Sequence, residues 1–172
     1  MERNLYKVFA GLLICAMVFS FAPASQVLAA SNWYVRQDGS DTVCDGSTNL
    51  AYNDPAHVGT ACAFDTIQKA VTSAAAGDVI HVGPGPFNLG ALVIDKSLTL
   101  VGDGRDSTAL HPTADMSATG WIHVNQGVTF NLSGFGLDGT GFNVSRAIQS
   151  FGNSTILNNR FQNIAAPGYD GV

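Results

Sequence analysis

Glutamate is almost missing from this chain. Glu2 is the only Glu among the 172 residues, so every other acidic side chain is Asp. Asp favours turns over helix interiors because its short side chain binds nearby backbone N–H groups. Charged residues make up only 12% of the chain, and the formal net charge is −5. The scarcity of Lys and Arg argues against a nucleic-acid partner, and the all-Asp inventory indicates a turn-rich chain with little helix.

The chain also lacks an apolar run long enough to cross a membrane as a helix. The longest such run, Val8 to Phe21, is shorter than the roughly 20 residues that a spanning helix needs. It follows the basic Arg3 and Lys7 and precedes small residues that end in Ala29-Ala30. This order predicts a secretory signal peptide over residues 1–29, with an uncleaved membrane anchor as the alternative. We therefore expect a secreted protein, extracellular or at the cell surface, without membrane contact after cleavage.

Cysteine is scarce as well. Cys15 falls within the expected signal peptide, which leaves Cys44 and Cys62 in the exported chain. An even number of cysteines in an exported protein indicates a disulfide, and two free thiols are the alternative. A bridge closing a loop of this size contributes about 3 kcal/mol in the chain-entropy model. We assign residues 30–63 to an N-terminal strand and this disulfide loop.

A single helical period is present in the exported chain. Its apolar positions fall on one helical face: Phe64, Ile67, Ala70, Val71 and Ala74. Asp65 or Thr66 can cap the start, and Gly77 can end the helix. The pattern predicts a helix over residues 64–77. Because it directly precedes the first strand, we expect it to cap an apolar end of the fold.

Short alternating strands recur beyond Asp78 at a period of about 26 to 30 residues. We group them into three sets. The first set is VIHV (79–82), TALH (108–111), FGLD (135–138) and FQNI (161–164); the second is ALVI (91–94), WIHV (121–124) and AIQS (147–150); the third is SLTL (97–100), GVTF (127–130) and NSTI (153–156). Three strands per period predict an all-β fold, a parallel β-helix with about three complete coils over residues 78–172.

The alternation within each strand separates inward from outward positions. The expected inward stacks are Ile80–Leu110–Leu137–Ile164, Leu92–Ile122–Ile148 beside Ile94–Val124–Ser150, and Leu100–Phe130–Ile156. Between the members of the last stack, Thr99, Thr129 and Thr155 should form a ladder on an outer face.

The stretch FDTIQKAVTSAAAGDVIHVGPGPFN, continued by LVIDKSLTLVGDG, resembles the start of right-handed β-helix proteins of the pectin-lyase-like superfamily. Those proteins share the helix beginning at Phe64, the strand from Gly77 to Val82, the Pro84-Gly85 turn and the strand from Ser97 to Gly102. The preceding YVRQDGSD and CDGS segments are similar to the N-terminal region of exported bacterial members. The resemblance implies a right-handed parallel β-helix with an N-terminal capping helix. It says little about activity, because these motifs are structural.

The catalytic motifs of that superfamily are not found in the chain. The Asn-Thr-Asp, Asp-Asp and Gly-His-Gly motifs of polygalacturonases are absent, and no acid cluster lies near Arg146 or Arg160 as a pectate lyase would need. The residues of pectin methylesterases cannot be assembled either. Whether the protein is an enzyme stays open. If it is, the resemblance implies a polysaccharide lyase, glycoside hydrolase or pectin esterase whose catalytic residues lie beyond this piece.

Outward residues at equivalent positions of successive coils are the candidate site residues. We expect a polar line formed by His81, His111 and Asp138, which could bind a metal or move protons; a solvated sheet face is the alternative. A second face presents a candidate sugar platform formed by Trp121, His123 and Gln149. Trp121 is outward by the alternation, although the loop at 112–120 could cover it.

The loop DGSDTVCDGS (38–47) is the candidate cation site. Asp38, Asp41 and Asp45 offer the hard oxygen ligands that Ca²⁺ prefers, with glycines that allow sharp turns. The spacing does not match an EF-hand, and turn-forming Asp without any metal is the alternative. We name no other cofactor.

Two functions remain open from the sequence. One is an extracellular protein that binds or processes polysaccharide, since repeated outward side chains suit a repeating ligand. The other is a non-enzymatic surface or adhesive scaffold. Since the last strands carry Ile156 and Ile164 without a capping element after them, we also expect the N-terminal part of a longer β-helix, or end-to-end association through the open coil.

Overall fold

The computed structural model describes residues 29–116 and 120–165. Apart from Ala29, the expected signal peptide lies outside the described residues, and so does the tail from 166 to 172. The described chain forms short strands and a single helix. In chain order they are β1 Asn32–Val35, α1 Ile67–Ser73, β2 Val79–Val82, β3 Gly85–Leu89, β4 Leu92–Ile94, β5 Leu98–Gly102, β6 Thr108–Pro112, β7 Ile122–Val124, β8 Thr129–Ser133, β9 Gly136–Asp138, β10 Ile148–Ser150, β11 Asn153–Leu157 and β12 Arg160–Gln162.

The strands form three parallel sheets. The first sheet has the order β1-β2-β5-β8-β11, the second β3-β6-β9-β12, and the third β4-β7-β10. From β2 onward, consecutive strands enter the first, second and third sheets in turn, so neighbours within a sheet are separated by two strands in the chain. The expectation of an all-β fold built from stacked parallel strands is confirmed.

The assignment of VIHV to the first strand set is wrong. β2 (79–82) pairs with β1 and β5 in the first sheet, and the place beside TALH is taken by β3, Gly85 to Leu89. Sequence reasoning took Pro84 and Gly85 as a turn, which hid this strand. Pro86 is tolerated there because β3 lies at the edge of its sheet, where a missing N–H costs no ladder bond.

The inward row of the second sheet changes accordingly. It runs through Phe87, Leu110, Leu137 and Phe161, and Ile80 instead pairs with Trp33 and Leu100 in the first sheet. Ile164, which we expected in this row, packs against the core from beyond the end of β12. Only the pairing of Leu110 with Leu137 survives from the predicted stack.

The third sheet follows the predicted register. Leu92, Ile122 and Ile148 pair across β4, β7 and β10, and Ile94 lies beside Val124 and Ser150 in the neighbouring row. The ladder confirms the register of both predicted rows, although Ser150, in the last strand, is exposed.

The predicted register of the first sheet is wrong by two residues in β8. Leu100 pairs with Leu132, which pairs with Ile156, while Phe130 pairs with Leu98 and Ser154. The expected threonine ladder is therefore Thr99–Asn131–Thr155, with Thr129 beside Asn153. Because side chains alternate with a period of two, this shift leaves every residue on its predicted face. Phe130 is fully buried and Thr129 is exposed.

The helix is shorter than the predicted 64–77, but its buried face is as expected. α1 spans Ile67–Ser73, and Thr66 caps it by accepting a hydrogen bond from Lys69 N at 3.2 Å. All five residues of the predicted apolar face are buried, and the helix packs against β1 and β2. Gly77 adopts a φ of +95° in the turn that leads into β2.

The predicted disulfide between Cys44 and Cys62 is present. Cys62 is buried. Its carbonyl accepts a hydrogen bond from Gly46 N, and the N–H of the next residue, Ala63, donates to Leu50 O. The loop is joined to β1 by the bond from Tyr34 N to Gly46 O, and this contact positions the site described next.

At the other end of the sheets, apolar side chains are exposed. Phe161 is 44% exposed and Ile156 is half-buried, although both continue rows that are buried in earlier strands. Leu157, on the outward row beside Ser133, is 58% exposed. Among the described residues, no strand lies over β10, β11 or β12.

Candidate functional site

The expected line of His81, His111 and Asp138 does not form. His81 lies in β2 of the first sheet, where it pairs with Tyr34 and Val101. His111 lies in β6 of the second sheet and pairs with Asn88. The same mis-assignment of VIHV that altered the strand sets therefore also separates His81 from the other two residues.

His111 and Asp138 do lie on neighbouring strands, directly after the paired Leu110 and Leu137. Asp138 is already engaged in a surface turn. Its Oδ1 accepts hydrogen bonds from Asn163 Nδ2 at 2.8 Å and from the Thr140 hydroxyl at 2.7 Å. These bonds, with a smaller contribution from the charge of His111, hold the pKa of Asp138 below its ordinary value. A carboxylate held ionised in this way supports the turn and is a poor proton donor.

The proposed sugar platform loses its aromatic member. Trp121 is fully buried, and its Nε1 donates a 2.8 Å hydrogen bond to Leu89 O, so it joins the second and third sheets inside the core. His123 and Gln149 pair on the outer face of the third sheet as expected. The ring beside His123 is Phe151, at 5.4 Å between centroids, and it is 59% exposed. Sequence alternation placed Trp121 outward because it assumed that the strand began there, whereas β7 begins at Ile122.

The three loop carboxylates serve separate structural purposes. Asp38 pairs with Arg36 at 2.7 Å, and this hydrogen bond lowers the pKa of Asp38. Asp41 accepts bonds from the backbone N–H groups of Asp65 and Thr66 ahead of the helix. Asp45 accepts from the Ser47 and Thr60 hydroxyls. Within residues 29–116 and 120–165, no group of three or more His, Cys, Asp or Glu side chains could hold a metal ion.

A different feature brings polar and aromatic side chains together. Two adjoining hollows of about 160 and 510 Å³ share Gly102 and Asp103 and form one channel along the corner where first-sheet strands turn into the second sheet. We call it the corner groove. The polar, charged and aromatic side chains that line it are those of Tyr34, Asn49, His81, Asp103, Arg105 and Asn158.

One end of the corner groove carries a stacked pair of rings. Tyr34 and His81 lie 5.3 Å apart between centroids with an angle of 20° between their planes. The backbone of Tyr34 is fixed on both sides, since its N–H donates to Gly46 O and its carbonyl accepts from Phe64 N, each at 2.9 Å. His81 Nε2 lies 3.0 Å from Asn32 Oδ1. The disulfide loop and β1 thus hold a preformed aromatic surface, half-buried and open to solvent on one side.

The floor of the corner groove is made by glycine. A Cβ added to Gly102 would lie 2.3 Å from Gly134 O, and one added to Gly134 would lie 2.4 Å from Gly102 O. Gly134 also has a φ of +80°. Two successive turns can approach this closely only without side chains, which leaves the hollow above them free.

From its centre to the end away from the rings, the corner groove carries charge of both signs. Asp103 and Arg105 are exposed, and Arg105 Nε lies 3.9 Å from Asp106 Oδ2. Asp106 also forms an ion pair with Arg160. In the hollow that holds Tyr34 and His81, Asn49 Oδ1 accepts a 3.3 Å bond from Arg36. Rings beside carboxylate, amide and guanidinium groups are well suited to bind a polyhydroxylated ligand.

Sequence reasoning missed the corner groove for an identifiable reason. His81 was the only groove residue singled out, and it was assigned to the wrong sheet. The segments that form the groove are visible in the sequence as YVRQ around Tyr34 and as the Gly-Asp-Gly and Ser-Gly turns. They indicate a shared groove only once β1 and β2 are known to pair.

Comparison with models of protein families, with curated proteins and with solved structures finds no match for this chain. Within the described residues, the helical content includes no segment long and apolar enough to span a bilayer.

Proposed function

We propose that the protein is an exported, right-handed parallel β-helix of the pectin-lyase-like type that binds extracellular polysaccharide along its corner groove. Several observations support the fold part. Consecutive strands visit three parallel sheets in turn, and connections between parallel strands are right-handed in about 98% of known cases. The buried disulfide fits the oxidising environment that an exported protein meets.

The observation that carries the function is the stacked Tyr34–His81 pair at the head of a channel that crosses successive strands. The channel runs across strands that are about 4.8 Å apart, so a linear polymer lying in it meets new side chains at regular intervals. Aromatic rings favour the C–H faces of sugars, and the groups of Asp103, Asn49 and Asn158 can bind hydroxyls. We therefore propose binding along several sugar units.

Binding, rather than turnover, is the activity that these residues favour. A glycoside hydrolase of the usual kind needs two carboxyl groups that flank the scissile bond. Asp103 is the carboxylate that lines the corner groove, and the neighbouring Asp106 is engaged by Arg160.

A second candidate function is that of an adhesive scaffold which associates end to end. The exposed Phe151, Leu157 and Phe161 favour it, because unpaired strand edges with apolar side chains invite pairing with another chain. Light scattering at tens of micromolar distinguishes this behaviour. Association that Leu157→Lys and Phe161→Lys weaken supports it, and a monodisperse monomer contradicts it.

Glycan-array binding by the exported protein, combined with assays for uronic-acid lyase and hydrolase products, tests the main proposal. We expect binding to one class of polysaccharide, with affinity rising with chain length up to the length of the corner groove. Absence of binding to any polysaccharide, together with absence of turnover, overturns it.

A further inference from the structure

The cations of the described residues are few and mostly engaged. Residues 29–116 and 120–165 include six Lys and Arg side chains and eleven Asp side chains. Arg36 binds Asp38 and Asn49, Lys69 lies over the ring of Phe64, and Lys96 donates to Ala74 O. None of these three cations lines the corner groove, and each already has a partner.

The corner groove itself has no excess of positive charge. Arg105 is the cation that lines it, and Asp103 lines it as well, while Asp106 stands beside Arg105 outside the lining. Arg160 forms an ion pair with the same Asp106. A polyanion entering the groove therefore meets an exposed carboxylate at its centre and a guanidinium that already has an anionic neighbour.

The carboxylate at the centre of the corner groove is suited to ligands that supply hydroxyl donors. An ionised carboxylate such as that of Asp103 only accepts hydrogen bonds, and sugar hydroxyls supply donors. The carboxylate of a uronic acid supplies none and is repelled, since like charges at close range disfavour each other. The Tyr34 ring binds the faces of neutral and charged sugars alike, so it does not change this preference.

Resting on the proposed function, we infer that the ligand is a neutral polysaccharide, and that Asp103 makes the corner groove select against polyuronates. This goes against the polyanionic substrates that the family resemblance suggests. Calcium bridging is the route by which a polyuronate could still bind, with Asp103 and the polymer's own carboxylates as ligands.

Fully methyl-esterified and de-esterified polygalacturonate provide a matched pair of probes, because they share a backbone and differ in charge. Neutral glucan, mannan and xylan complete the set. We first measure wild-type binding at low salt in a buffer that contains a chelator. Under these conditions we expect de-esterified polygalacturonate to bind at least ten-fold more weakly than its methyl ester and than the best neutral polymer. Added salt should narrow the gap, because it screens exposed charges. A separate titration with added Ca²⁺ in place of the chelator measures whether calcium bridging lets the de-esterified polymer bind.

Asp103→Asn and Asp95→Asn are matched variants. Both remove one exposed negative charge, but Asp95 lies beyond β4 and does not line the corner groove. We expect Asp103→Asn to reduce the preference for the neutral probe several-fold, and Asp95→Asn to leave it unchanged. Equal effects of the two variants overturn this inference. Wild-type binding that is tighter to the de-esterified polymer than to the neutral polymers also overturns it, whether this is seen in chelator or only with Ca²⁺. Each of these results leaves the proposed function standing. Failure to bind any of the polymers overturns the proposed function itself.

Discussion

The indole Nε1 of Trp33 donates a 2.7 Å hydrogen bond to Oδ2 of Asp78. The same oxygen accepts from Ala75 N at 2.8 Å, and Oδ1 accepts from Ser31 N at 2.8 Å. One buried carboxylate thus joins β1, the end of α1 and the start of β2. These contacts hold the first strand of the first sheet in place, and with it Tyr34 at the head of the corner groove.

Asp78→Asn should lower the free energy of unfolding by about 2 kcal/mol. The new amide cannot accept at both positions, so an N–H₂ group would face the N–H donors of Trp33 or Ser31. Thermal or denaturant unfolding at pH 7 measures the loss. Asp95→Asn is the control for the change in charge and should stay within about 0.5 kcal/mol of wild type, since it is exposed.

The same carboxylate makes stability depend on pH. Burial alone would raise the pKa of Asp78, but the bonds from Trp33, Ser31 and Ala75 outweigh it and lower the pKa below its ordinary value. Its contribution is therefore present above the unfolded pKa of about 3.9 and is lost as pH falls through the lower folded value. The difference in melting temperature between wild type and Asp78→Asn should shrink as pH falls from 5 to 2. A difference that grows over this range would contradict the assignment.

Phe130→Asp should unfold the domain, whereas Thr129→Asp should be mild. Phe130 is fully buried beside Leu98 and Leu132, so an aspartate there is an unpaired buried charge that costs more than about 4 kcal/mol. Thr129 is exposed, and the bond at this position comes from its backbone N–H to Ser97 Oγ. Circular dichroism and thermal melting compare the two variants. Equal damage would show that the inward and outward faces of β8 have been assigned incorrectly.

The sequence was most informative where paired strands carried the same number of inward apolar positions. The third sheet followed its predicted register because β4 offers Leu92 and Ile94 to Ile122 and Val124 of β7, and a shift by two residues would leave one of each pair unmatched. The run VTFNL around β8 contains three apolar residues of the same parity, Val128, Phe130 and Leu132, and periodicity alone cannot choose which of them pair with Leu98 and Leu100. The strand at 85–89 was missed because Pro86 is excluded only from interior strands, and edge position is a tertiary property.

The site was less predictable than the fold, for related reasons. Trp121 looked exposed by alternation, yet its indole finds a backbone acceptor at Leu89 that is distant in sequence. Asp41, a candidate cation ligand, turns out to bind the backbone ahead of α1. Such long-range hydrogen bonds leave no local pattern, whereas the disulfide, which we predicted from the cysteine count and the expected export, is present.

Gly102→Ala should be strongly destabilising although Ala is a better strand residue than Gly. Its Cβ would lie 2.3 Å from Gly134 O, so two backbone turns must separate and the floor of the corner groove must deform. Gly83→Ala is the matched control, since its Cβ meets Val35 O at an ordinary 3.5 Å. We expect a loss of about 2 kcal/mol or more for Gly102→Ala and little change for Gly83→Ala. Comparable melting temperatures for the two variants would refute the close approach.

Titration of the best-binding polysaccharide against wild type, Tyr34→Ala and Tyr52→Ala addresses the proposed corner groove most directly. Tyr52 is 41% exposed in the disulfide loop and lies outside the groove, so its variant controls for the loss of a surface tyrosine. Melting curves confirm that both variants are folded. We expect Tyr34→Ala to weaken binding about ten-fold or more, equivalent to about 1.4 kcal/mol, and Tyr52→Ala to bind like wild type. Undiminished binding by a folded Tyr34→Ala variant would contradict the proposal that this groove holds the polysaccharide.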